Sequence, residues 1–200
     1  MIIKFVISKP PTWWKGPEFD ILRDNNLLFK GKYVGSFRYH DMLLGRDGEL
    51  VMYTRGNTLY DAREKKRKVG SIFMNDKTIL PREHWLVGIV KIQREKLKIE
   101  LYYIFRGPDI YVPLFKDKKM IGLMYRESAP IQGGGIARRY HYTLYLLDIY
   151  EELLSLLSLC ALSCLRGGDL RYGGQDELLE QVLKWRDKYF GDGDEKKQEE

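Results

Sequence analysis

The chain has 200 residues, 44% of them hydrophobic and 31% charged, a balance that excludes a disordered protein and suits a folded domain with a full core. Its 34 Lys and Arg outnumber 28 Asp and Glu, and the net charge of +6 permits contact with phosphates or anionic lipid heads without requiring it. Two cysteines are too few for a disulfide framework or a four-cysteine zinc site.

Residues 2–7 (IIKFVI) read as a first strand. The single lysine inside this short apolar run and the lack of a small-residue cleavage site argue against a signal peptide. From Phe19 to Leu147 short apolar or alternating runs are broken by turn clusters. These include Asp24-Asn25-Asn26, Arg46-Asp47-Gly48, Arg55-Gly56-Asn57, Asn75-Asp76-Lys77 and Lys116-Asp117-Lys118. Such residues tolerate the positive φ of tight hairpins, so the pattern predicts about eleven or twelve short antiparallel strands. No helical stretch separates them, which argues against parallel βαβ units.

The segment Leu153–Leu165 (LLSLLSLCALSCL) holds seven leucines and no charge. A helix that is apolar all round must be buried on every side, and its small serines can bond back to helix carbonyls. Asp148 followed by Glu151 predicts a capping box, and Arg166-Gly167-Gly168 predicts the C-terminal end, placing the helix at about residues 149–166. A membrane span needs about 20 apolar residues, so this shorter run reads as a core helix and predicts no transmembrane span. A sheet packed on one side would leave half the helix wet. The expected fold is therefore mainly β, a closed antiparallel barrel of about twelve strands around a central hydrophobic helix. Cys160 and Cys164, four apart on that helix, read as reduced core residues of a cytoplasmic protein.

Residues 1–168 thus form the barrel unit, and 169–200 a C-terminal extension. In the extension, Leu178, Leu179, Val182, Leu183, Trp185, Tyr189 and Phe190 follow helical spacing and predict an amphipathic helix over 175–190. It packs on the barrel or docks a partner protein, and the tail GDGDEKKQEE reads as solvated and disordered.

No GxSxG, P-loop, GxGxxG, HExxH or paired CxxC pattern occurs, so no catalytic residue, cofactor or metal is expected. His40, His84 and His141 fall in different strands without metal-ligand spacing. The strongest charge feature is Arg63, Lys65, Lys66, Arg67 and Lys68, five cations in six residues, with Arg138 and Arg139 as a smaller second patch. Clusters of this kind meet lipid head groups or nucleic-acid phosphates, or simply keep a hairpin soluble.

The run FKDKKMIGLMYRES, followed after the triple glycine by RYHYTLYLLDIYEELLSLLSLCAL, resembles the C-terminal third of the tubby C-terminal-like superfamily. Within it the likeness is to LURP-one-related and scramblase-like proteins. FDILRDNNLLFKGK and LLGRDGELV resemble that family's opening hairpins, so the likeness covers about residues 15–166. It implies a twelve-stranded barrel round a hydrophobic helix. It also implies association with phosphoinositides or membranes, although the palmitoylated cysteine segment and calcium loop of scramblases are absent. The expectation is a non-enzymatic binding protein, cytoplasmic or peripheral at a membrane. Its ligand is an anionic lipid head group or other phosphate-bearing molecule, held by Arg63, Lys65, Lys66, Arg67, Lys68, Arg138 and Arg139. Partner docking through the 175–190 helix is the alternative, and non-specific nucleic-acid binding comes third.

Overall fold

The computed structural model describes residues 1–9, 17–34, 41–63, 67–74, 86–92, 97–102, 104–106, 109–130, 138–165 and 176–191. The strands are β1 (Ile2–Lys9), β2 (Glu18–Arg23), β3 (Asn26–Val34), β4 (Asp41–Arg46), β5 (Glu49–Arg55), β6 (Thr58–Asp61) and β7 (Arg67–Met74). They continue as β8 (Leu86–Ile92), β9 (Leu97–Tyr102), β10 (Ile104–Arg106), β11 (Asp109–Lys116), β12 (Lys119–Pro130) and β13 (Arg138–Leu146). A 3₁₀ segment over Asp148–Leu153 leads into α1 (Leu154–Leu165), and α2 spans Asp176–Phe190.

The strands begin and end where the turn residues place them. Asp24 and Asn25, Asp117 and Lys118, and Asp47 with Gly48 all have φ between 49° and 82°, the left-handed pair that a two-residue hairpin turn requires. Strand β3 runs unbroken through Gly31, which continues the ladder and pairs with both Phe19 and Leu44.

Closure departs from the expectation. Instead of a closed barrel of about twelve strands, the described residues form one antiparallel sheet of thirteen. Its order, β10-β11-β12-β13-β1-β2-β3-β4-β5-β6-β7-β8-β9, has two ends. Near those ends β9 touches β11 along three residue pairs, Leu101–Leu114, Glu100–Phe115 and Ile99–Lys116, while β10 pairs with the other half of β11. Pro113, which has no N–H to donate, lies between the two described ladders.

One face of this sheet curls onto α1. In β9, Leu97, Ile99 and Leu101 are buried while Lys98 is exposed, and in β2 Phe19 and Ile21 turn inward between half-buried neighbours. The same alternation elsewhere gathers Ile3, Phe29, Leu44, Leu59, Ile72 and Leu144 into one cluster with the α1 leucines. From Leu153 to Leu162 every residue is buried except half-buried Ser155. Contact with β3 is close. The Tyr33 hydroxyl donates to the Leu162 carbonyl, and a Cβ on Gly31 would stand 2.7 Å from Leu162 Cδ1. Ser158 does not bond back as expected: its Oγ is buried and has no hydrogen-bond partner among the described residues, a cost of about 1–3 kcal/mol.

The predicted helix start is also corrected. The α-helix begins at Leu154, not 149, and Tyr150 has non-helical angles (φ −110°, ψ 21°) inside the 3₁₀ segment. The capping carboxylates are engaged elsewhere. Asp148 accepts from the Met1 ammonium at 2.5 Å and Glu151 from Arg23 Nη1 at 2.6 Å. The ammonium bond is the main reason the Asp148 carboxyl titrates below its ordinary range.

Helix α2 packs on the opposite face of the same sheet. Leu179 and Val182 are buried against Ile104, Tyr111 and Leu123, and Phe190 meets the Tyr145 ring at 5.3 Å. Among the described residues no helix is long and apolar enough to cross a membrane.

Candidate functional site

Because α1 and the inward strand positions are taken up by packing, the chemistry open to a ligand lies on the outer face and the strand ends. The cation cluster sits on the connection from β6 to β7. Asp61 pairs with Arg67 across the ladder, and its carboxylate also accepts from the Arg63 backbone N–H at 2.9 Å and from Arg63 Nη2 at 3.1 Å. That carboxylate offsets part of the cluster's charge. Arg67 and Lys68 head β7 and are exposed, as is Arg63, while Lys65 and Lys66 lie outside the described residues.

The second patch stands apart from the first. Arg138 and Arg139 open β13, opposite Pro130 and Ala129. Strand β7 is seven strands from β13 in the antiparallel order, so the two run in opposite directions. Their first residues, Arg67 and Arg138, therefore lie toward opposite ends of the strands. Among the described residues, Arg63, Arg67 and Lys68 thus stand apart from Arg138 and Arg139.

A third cationic feature has no counterpart in any local run. Cross-strand register places Arg55 opposite Thr58, Thr58 opposite Ser71, Ser71 opposite Lys91, and Lys91 opposite Lys98. The outer face thus carries one continuous row across five strands. Lys98 binds the Glu100 carboxylate, and this bond holds Glu100 below its ordinary titration range. Tyr102, which donates to Glu100 at 3.0 Å, titrates above its usual range through burial first and that carboxylate second. Beside the row, Tyr53 and Tyr60 stack at 4.9 Å with rings 9° apart, and the Arg55 guanidinium lies 6.0 Å from the Tyr53 ring centre.

A groove of about 550 Å³ also opens on the outer face between β1 and β5, with Leu27, Leu43 and Leu50 beside Lys30 and Lys32. Its charges balance: Lys9 pairs with Glu18 at 2.8 Å, Arg46 with Asp47 at 3.5 Å, and Asp20 stands opposite Lys30. Nothing there selects an anion. No group of three or more His, Cys, Asp or Glu among the described residues is placed to hold a metal ion. His40 and His84 lie outside the described residues. No family model, curated protein or solved structure matches the chain.

Proposed function

We propose that the chain is a non-enzymatic binding protein of tubby-like character that recognises anionic lipid head groups or similar phosphate-bearing ligands through the β6–β7 connection. The observation that carries this reading is the exposure of Arg67 and Lys68 beside Arg63 at one strand end, next to two further lysines in sequence. The net charge of +6 and the resemblance to phosphoinositide-binding and membrane-associated proteins support it. Each basic side chain near an anionic bilayer contributes on the order of 1 kcal/mol.

Co-sedimentation with phosphatidylserine vesicles tests the proposal. The intact protein is expected to sediment with them and to remain in solution with neutral phosphatidylcholine vesicles. Replacing Lys65, Lys66, Arg67 and Lys68 by Gln is expected to weaken the interaction about a hundredfold or more. No binding, or binding unchanged in that variant, overturns it. Docking of a partner by α2 is the weaker reading, because its apolar residues Leu179, Val182 and Trp185 already cover the chain's own β11–β13 face.

A further inference from the structure

We infer that the outer face of β5–β9 is a binding track for single-stranded nucleic acid, a site separate from the β6–β7 connection and independent of its reading. The track is the row Arg55, Thr58, Ser71, Lys91 and Lys98. Neighbouring strands lie about 4.8 Å apart, so four steps give a line about 19 Å long. Three cations and two hydroxyls occupy it, and no carboxylate interrupts it. Arg55, Lys91 and Lys98 are exposed, and Thr58 and Ser71 half-buried.

Two features distinguish this row from an ordinary solvated face. Lys91 stands directly opposite Lys98, and like charges in that position destabilise a sheet unless an anion relieves them. Glu100 reaches Lys98, and the row itself offers Lys91 no carboxylate. Tyr60, half-buried and stacked on buried Tyr53, adjoins the row on the same face, with Lys68 opposite it. Tracks that bind single strands without reading sequence combine these elements, a cationic line for the backbone and aromatic rings for bases. Their sites begin at about four nucleotides.

Fluorescence anisotropy of the full chain with a labelled twelve-residue oligothymidine, titrated from low to moderate salt, tests the track. Binding is expected, with a log–log salt slope of about −2 for three neutralised phosphates. Arg55→Gln with Lys91→Gln is expected to lower affinity at least tenfold and to flatten that slope by about 1.4. Tyr60→Ala is expected to lower affinity about tenfold with the slope unchanged. The Lys65–Lys68 Gln variant, by contrast, is expected to retain most oligonucleotide binding. The inference is overturned if the oligonucleotide does not bind or if the Arg55/Lys91 variant binds it as well as the parent. A duplex of equal length binding just as tightly also overturns it. So does an Arg55/Lys91 variant that loses phosphatidylserine vesicles but keeps the oligonucleotide, which would assign this face to a membrane. Unchanged circular dichroism and melting temperature in each variant exclude unfolding as the cause of any loss.

Discussion

Leu157→Ala is expected to lower the free energy of unfolding by about 3 kcal/mol, seen in urea as a lower midpoint with an unchanged slope. Leu157 is 0% exposed at the middle of a helix whose neighbours Leu156, Leu159, Cys160, Ala161 and Leu162 are all buried too. No flank of α1 can collapse into solvent to fill the space, so the variant loses both transfer energy and the contacts around a cavity. The same change at Leu27, which is 52% exposed on the outer face, is expected to alter stability by no more than about 0.5 kcal/mol. A loss below about 1 kcal/mol at Leu157 would mean that the helix is not enclosed.

Gly31→Val is the second large effect, expected to cost about 2–3 kcal/mol through overpacking. Gly31 faces Leu162 of α1. Its missing Cβ would meet Leu162 Cδ1 at 2.7 Å, Leu162 Cδ2 at 3.3 Å and Ile21 Cδ1 at 3.4 Å. All three atoms belong to fully buried side chains, and the helix carbonyl of Leu162 is tied to the same strand by the Tyr33 hydroxyl. The clash and the cavity are complementary, so Leu162→Ala should partly rescue Gly31→Val. In a double-mutant cycle by urea denaturation the pair is expected to be more stable than the sum of the single changes by about 1 kcal/mol or more. Strict additivity would place Leu162 elsewhere.

These two positions also separate what the sequence discloses from what only the fold does. Asp-Gly and Asp-Asn pairs disclose hairpins, because few other residues adopt positive φ, and the turns at Asp24-Asn25 and Asp47-Gly48 fall where composition puts them. A charge-free leucine run discloses that α1 must be covered on all sides. The ends of the sheet are not disclosed, since they depend on long-range pairing of β11 with both β9 and β10. Nor is the helix start, because Asp148 and Glu151 have cap spacing but are drawn to Met1 and Arg23, more than a hundred residues away in sequence.

The functional surface divides in the same way. Arg63, Lys65, Lys66, Arg67 and Lys68 stand out because they are consecutive or nearly so, and for that reason they were the natural candidates. Arg55, Thr58, Ser71, Lys91 and Lys98 lie on five successive strands, each an ordinary exposed or half-buried position. Only the register of five strands lines them up, and a bulge between Leu59 and Tyr60 shifts that register by one residue. Such alignment follows from pairing energetics over the whole sheet, beyond the reach of any local pattern.

That α1 is the enclosed centre of the molecule, leaving ligands only the outer face and strand ends, is tested most directly by native-state hydrogen exchange. The amides of Leu156–Leu162 are expected to exchange only through global unfolding. Their opening free energies should equal the denaturation value and fall with urea at the full slope. Exchange of these amides through a smaller opening that urea does not change, while the β2–β5 amides stay protected, would contradict it.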